Sequence, residues 1–412
     1  MKTKRWALLL LLLMLFCTAC GKDGEKKSSE ENGGGETTPA ATEAPQTTEE
    51  IMVEKSLGSR GNNYRLKKFL EKVRAGEQVT VAFLGGSITE GYNAGTETTF
   101  STLVTDYLNT NYGTGSNVTC LNAGLSGTPS ILGLIRSDRD VFYAEPDLIF
   151  IEFAVNDGSS QMDDNGFESL LRKALTQPQE PAVIVLNSVT DEGYTCQDNM
   201  NTIAFQYGVP SVNVKTAIWP YIEAGTGDFK WSDWADDSAH PNASGHLLYS
   251  KFIIHLIELL DAAEIEEPKE LPAKFVMGSD HTGMKMVDRS MNSDLITITD
   301  SENYSENGDL DSFDKGWTKL EGENGSFAFT FTGKALYMVF KDTTDSRYGT
   351  AEIYVDGERV YELEGNSEDG WNNPATAMVY TSKESAEHTV IVRMKDGDEE
   401  KRFSILALGL VP

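Results

Sequence analysis

From residue 79 to residue 214 the chain returns repeatedly to runs that are apolar at nearly every position: VTVAFL, NVTCLNA, DLIFIEFAV, AVIVLN and VPSVNV. Such continuous runs are the pattern of parallel strands covered on both faces. Between them lie amphipathic stretches, FSTLVTDYLNTNY, SILGLIRSDRDVFY, FESLLRKALTQ and NMNTIAFQYG. Ahead of the first strand, Tyr64, Leu66, Phe69, Leu70 and Val73 share one helical face and Gly76 ends the helix. ASGHLLYSKFIIHLIELLDAA closes the region as a long amphipathic helix. Alternating strands and helices predict a three-layer α/β domain over residues 55–265, built on a five-stranded parallel sheet.

After EIEEPKELPAK the period changes to two. SFAFTFTG, ALYMVFK, AEIYVDGERVYELEG, TAMVYTS, EHTVIVRM and FSILALGL alternate apolar and polar positions, with no helical stretch between them, and Asp356-Gly357 is a strong hairpin signal. Residues 272–412 are therefore expected to form an all-β domain of sandwich or jelly-roll type.

The N-terminal end follows neither pattern. Lys2, Lys4 and Arg5 precede an apolar stretch too short to span a bilayer, which ends in small residues before Cys20; residues 1–20 read as a secretory signal. Thr18, Ala19 and Cys20 resemble the end of a bacterial lipoprotein box, which makes Cys20 the expected lipid attachment site. Residues 21–54, rich in Gly, Ser, Thr, Pro and Glu, predict a disordered tether. The expectation is an exported lipoprotein held at the cell membrane, facing outward. Of four cysteines, Cys17 and Cys20 belong to this leader, and Cys120 and Cys196 are read as free structural thiols. The formal net charge of -29 repels phosphate backbones, which argues against nucleic acid as a partner and favours a neutral or polymeric substrate.

The first strand runs into VAFLGGSITEGYNAG. Gly86 and Gly91 have the spacing of a phosphate-binding loop, but Tyr92 stands where its lysine belongs and Glu90 would repel phosphate. A plain turn and the seat of a nucleophile remain. A serine nucleophile needs a base and an oxyanion hole. Among five histidines, His246 and His255 lie within the long helix, and His281 and His388 lie in the linker and the β region. His240 sits in the loop DDSAHPN, where Asp237 can hold its tautomer. Ligands of open α/β sheets collect at the carboxyl ends of strands. There Ser87 ends the first strand, Gly127 offers an N–H in NAGLSGT, and Asn156 offers an amide in VND. Glu152 is read as a hydrogen-bonded structural carboxylate. Trp231 and Trp234 either line a sugar cleft or pack their loop, and the same alternatives hold for Trp371 in EDGWNNP.

These segments, in this order, resemble the SGNH or GDSL-like hydrolases over residues 60–262. The GGSIT start is similar to that of a subset of bacterial carbohydrate esterases, with Gly86 in place of the usual aspartate. The resemblance implies Ser87 as nucleophile, His240 as general base and Asp237 as its orienter. It implies an oxyanion hole made by the Ser87 and Gly127 N–H groups and the Asn156 amide, a flavodoxin-like sheet, and neither metal nor organic cofactor. The function expected is hydrolysis of acetyl esters on a polysaccharide, with the β domain as an accessory whose removal leaves small-ester turnover intact. A polysaccharide O-acetyltransferase using the same triad, and a noncatalytic glycan-binding lipoprotein, are the alternatives.

Overall fold

A computed structural model describes residues 46–412; the signal, Cys20 and most of the tether lie outside the described residues. The tether was expected to continue to residue 54, but helix α1 (Thr48–Lys55) stands there. The Thr47 hydroxyl accepts the Glu50 N–H while the Glu50 carboxylate accepts the Thr47 N–H, a reciprocal cap. Met52 is buried and Glu49 pairs with Lys251. Composition over the whole tether masked the short apolar group Ile51, Met52 and Val53, which is enough to dock one turn or two of helix.

Strand β1 (Leu57–Ser59) and helix α2 (Tyr64–Arg74) follow, then β2 (Val79–Gly85), α3 (Ser87–Glu90), α4 (Phe100–Asn111), β3 (Val118–Gly124), α5 (Ser130–Asp140) and β4 (Leu148–Glu152). The domain is completed by α6 (Gln161–Leu175), β5 (Ala182–Asn187), α7 (Gln197–Tyr207), β6 (Ser211–Asn213), α8 (Val214–Ala224), α9 (Trp231–Trp234) and α10 (Ala243–Ala262). The sheet order is β1-β6-β5-β4-β2-β3. The five expected strands β2 to β6 are parallel, and β1 adds an antiparallel edge beside β6. Alternate side chains of the central strands serve two cores. Ala82, Leu84, Ile149 and Ile151 pack with α5, α6 and α7, whereas Val81, Phe83, Leu148 and Phe150 pack with α2, α4 and α10. Strand β3 is the other edge, and Thr119 and Asn122 are exposed there.

The β domain comprises β7 (Lys285–Val287), β8 (Ile296–Asp300), β9 (Tyr304–Ser305), β10 (Trp317–Lys319), β11 (Ser326–Thr343), β12 (Thr350–Val355), β13 (Glu358–Glu364), β14 (Trp371–Met394) and β15 (Phe403–Val411), all paired antiparallel. Four of the runs that read as separate short strands, SFAFTFTG with ALYMVFK and TAMVYTS with EHTVIVRM, are halves of β11 and β14, which pair with each other along their length. Phe327, Phe329 and Phe331 face the domain core; after the register shift between Gly333 and Ala335, Leu336, Met338 and Phe340 do so. One irregular residue thus changes the phase of alternation and brings both halves onto a common core. Asp356 and Gly357 both have positive φ, 53° and 87°, as a two-residue hairpin turn requires.

The accessory role expected for the β domain meets a structural obstacle. Met284, Met286, Phe313, Tyr337, Val339, Leu406 and Val411 belong to the same apolar cluster as Leu134, Ile135, Phe167 and Leu171 of α5 and α6. A β-carbon on Gly409 would fall 2.9 Å from Ile135 Cδ1. Polar contacts reinforce this joint. The Glu168 carboxylate accepts the N–H groups of Val276, Met277 and Gly278, and Arg139 donates to the Ser312 carbonyl while lying over the Phe313 ring. The two domains share one core on this face of the sheet.

Candidate active site

Strand β2 ends at Gly85 and α3 begins at Ser87. The residue between them has no room for a side chain, because a β-carbon on Gly86 would fall 2.3 Å from Asn156 Oδ1. That contact explains glycine at this position and puts the Asn156 amide against the serine turn. Below the turn, the buried Arg136 guanidinium donates to the carbonyls of Gly85 (3.0 Å) and Ala123 (2.9 Å) and pairs with Asp140 (2.9 Å). The neighbouring ends of β2 and β3 are thereby fixed by one side chain, which burial makes less basic against the opposing charge of Asp140.

The structure brings Ser87, His240 and Asp237 together. His240 Nε2 is 2.8 Å from Ser87 Oγ, and His240 Nδ1 is 2.8 Å from Asp237 Oδ2. Asp237 Oδ1 accepts the N–H groups of Ala239 (2.9 Å) and His240 (2.8 Å), and Oδ2 also accepts from Asn93 Nδ2 (2.9 Å). Burial would raise the Asp237 carboxyl, but these backbone donors and the imidazole outweigh it and hold it at about 2. An ionised carboxylate at Nδ1 selects the tautomer protonated there, leaving Nε2 to accept from the serine hydroxyl.

Gly127 lies in the loop after β3 with φ 68°, and its N–H donates to no group among the described residues. A β-carbon here would fall 2.7 Å from Trp371 Cζ2. The tryptophan considered for sugar stacking therefore comes from the β domain to the candidate oxyanion glycine, and it remains 54% exposed. Asp157, next to Asn156, accepts the Ser130 N–H (2.6 Å) and its carbonyl accepts the Cys196 thiol (3.0 Å). It ties the asparagine segment to the start of α5, and burial pushes its carboxyl up to about 7. Cys196 and Cys120 are both free.

Of the two tryptophans before Asp237, Trp234 is wholly buried against Tyr249 and so does not line a sugar cleft. Of the two alternatives left open for it, the loop-packing one holds, because its docking under α10 buries it. Trp231 is half-buried and its indole N–H donates to the Asp237 carbonyl (2.6 Å), which supports the loop. Glu152 is buried and accepts the Thr89 hydroxyl (3.1 Å), the structural placement expected for it. Sequence reasoning missed Arg136, and it missed Tyr92 and Asn93, although both lie in the glycine-rich segment first singled out. The Tyr92 ring packs against the His240 imidazole with centroids 4.6 Å apart. A serine hydroxyl facing an oriented imidazole, with an amide and free N–H groups nearby, is an arrangement suited to acyl transfer.

Residues 83–248 match the GDSL-like Lipase/Acylhydrolase family. The chain carries a GDSL-like lipase/acylhydrolase domain, and the enzyme is a serine ester hydrolase with a second, all-β domain. Among solved structures it is similar to a two-domain esterase (CEX) active on acetylated mannans, at 25% identity and a TM-score of 0.78, covering 87% of this chain and 99% of that one. The same esterase co-crystallised with mannopentaose gives 25% identity and 0.77 over 87% and 98%. An acetylxylan esterase from Geobacillus stearothermophilus, a catalytic mutant of Axe2, matches at 18% identity and 0.38 over 47% of this chain and 100% of its own. None of the curated proteins matches the sequence.

Proposed function

We propose that this protein is an exported, lipid-anchored carbohydrate esterase that hydrolyses acetyl esters on a polysaccharide. The hydrogen-bonded chain from Ser87 through His240 to Asp237 carries the reading. Ser87 Oγ attacks the ester carbonyl carbon while its proton passes to His240 Nε2. The Ser87 and Gly127 N–H groups and the Asn156 amide receive the negative charge on the carbonyl oxygen. The C–O bond to the sugar then breaks as His240 returns the proton to the leaving oxygen. Water repeats the sequence on the acetyl-enzyme, releasing acetate and restoring the Ser87 hydroxyl.

The substrate class is supported by the two-domain relative active on acetylated mannans, which aligns across both domains. It is supported too by two exposed aromatic rings, Tyr92 beside the histidine and Trp371 beside Gly127, suited to the apolar faces of sugars. The surrounding segments, TEGYNAGTETT, GLSGTPS and NDGSSQMDDNG, offer no apolar trough for a long acyl chain. Export and attachment at Cys20 are supported by the basic start, the short apolar stretch and the small residues before that cysteine. The test is acetate release from acetylated mannan by the purified protein and its Ser87→Ala variant, with an organophosphonate probe whose adduct is located by mass spectrometry. Wild-type release, its loss in the variant and a Ser87 adduct are expected, as is a steep fall from p-nitrophenyl acetate to octanoate. An adduct on another serine, or a preference for octanoate, refutes the respective part.

A further inference from the structure

The segment after α3 leaves the serine turn through an unusual backbone path. Gly91 and Gly95 have φ of 94° and 78°, and Asn93 between them has φ 68°, a left-handed conformation in which asparagine is among the few tolerated side chains. The path is held by the N–H groups of Gly91 and Tyr92, both donated to the Ser87 carbonyl at 3.0 and 3.1 Å. It ends with two side chains on the acid–base pair of a loop far away in sequence. The Tyr92 ring lies on His240, and the Asn93 amide donates to Asp237 Oδ2 at 2.9 Å. That oxygen is also the nearer partner of His240 Nδ1. The other donors to the Asp237 carboxylate, the N–H groups of Ala239 and His240, belong to its own loop; Asn93 is the donor that comes from the serine's element.

We propose that Asn93 is a positioning residue for the reaction, the link through which the nucleophile turn fixes the Asp237 carboxylate and thereby the imidazole. This rests on the reading of Ser87, His240 and Asp237 as the catalytic triad. With both oxygens held by donors, the carboxylate has one orientation in which Oδ2 faces Nδ1, so Nε2 is directed at Ser87 Oγ before substrate arrives. The Tyr92 ring packs against the imidazole, tilted by 52°. Without the Asn93 amide, Oδ2 is free to turn to water and the imidazole samples orientations that do not reach the serine. The groups facing the imidazole are Asp237 from its own loop and Ser87 and Tyr92 from the α3 side; an acid at position 93 adds a second carboxylate to this set.

Asn93→Gly is the decisive variant, because glycine keeps the left-handed backbone and removes only the amide. On p-nitrophenyl acetate it is expected to lower kcat about tenfold with KM nearly unchanged, a loss in the transition state alone. Asn93→Asp is expected to move the acid limb of the kcat/KM profile to higher pH by about half a unit or more, since a neighbouring anion favours the imidazolium. That shift reports electrostatic contact between position 93 and the imidazole, while the loss confined to kcat in Asn93→Gly is the readout that a merely structural residue would not give. Wild-type kcat and an unmoved profile in both variants, with wild-type melting temperatures, overturn the proposal. The organophosphonate probe separates this from failure of the underlying reading. A wild-type adduct on Ser87 with unaffected variants rejects Asn93 alone, whereas a wild-type adduct elsewhere rejects the triad and the proposal with it.

Discussion

Replacing Glu152 with glutamine should make the protein less sensitive to alkaline pH. Glu152 is the last residue of β4; its carbonyl accepts the Gly86 N–H (3.3 Å) and its carboxyl sits beneath α3, accepting from Thr89. The second carboxyl oxygen, Oε1, has no partner among the described residues. Burial pushes this group from its ordinary 4.5 up to about 8, with the Thr89 hydrogen bond opposing and Asp157 adding to the rise. A raised carboxyl is neutral in the native state and ionised in the unfolded chain between those two values. Its contribution is therefore fully present below about 4.5 and is lost as pH rises through about 8. At about 1.36 kcal/mol per pH unit, that interval amounts to a loss of up to about 5 kcal/mol. Glutamine has nearly the same shape, keeps an acceptor for Thr89 and cannot ionise. Urea unfolding followed by tryptophan fluorescence, at intervals from pH 5 to pH 9.5, should give similar midpoints for both proteins at the acidic end and a higher midpoint for Glu152→Gln at the alkaline end. Asp157 is present in both proteins, so the difference reports Glu152 together with its coupling to Asp157. Midpoints that stay parallel across the range would mean that Glu152 is hydrated or already ionised, and the argument from its burial would be refuted.

Asn156→Ala should lower kcat on p-nitrophenyl acetate by about a hundredfold or more with little change in KM, as expected for a lost oxyanion donor; steady-state kinetics showing an unchanged kcat would remove it from the site. Trp371→Ala should leave turnover of that small ester within about threefold but reduce kcat/KM on acetylated mannan about tenfold, the scale of one lost aromatic contact; equal effects on both substrates would deny it a role in holding glycan. Deleting residues 274–412 should abolish soluble expression and small-ester activity together, because it exposes the shared apolar face of α5 and α6; a soluble, active fragment in gel filtration and kinetics would show that the face closes by itself.

Local pattern made much of the fold legible. The strands β2, β4 and β5 are buried on both faces, so their sequences could be continuously apolar, and the amphipathic helices beside them announce themselves by period. The site was legible for a related reason: strand ends in a parallel sheet converge, so short polar segments following successive strands become neighbours. What escaped depends on contacts between distant segments or on a local exception. Helix α8 contains Pro220, which argues against helix in sequence terms. The short polar setting of Trp234 could not decide between an open cleft and burial. The meeting of Trp371 with Gly127 and of Asn93 with Asp237 is created by docking and by a left-handed backbone, neither of which leaves a periodic trace. The shared core was hidden because strands β11 and β15 carry apolar residues on both faces, which a domain read in isolation assigns to its own interior.

That shared core sets a condition on the timing of maturation. Strand β15, the nine residues Phe403–Val411, supplies Leu406, Ala407 and Val411 to the cluster that covers α5. These residues follow α5 by more than a domain's length of chain and are synthesised well after it. Until they arrive, the face of α5 that they cover stays wet, and the segment bearing Gly127 lacks the wall that Trp371 provides. The N-terminal domain therefore cannot ripen during synthesis in the usual order of domain after domain. Its hydrolytic centre reaches its final form only after strand β15 has been made and has docked on α5.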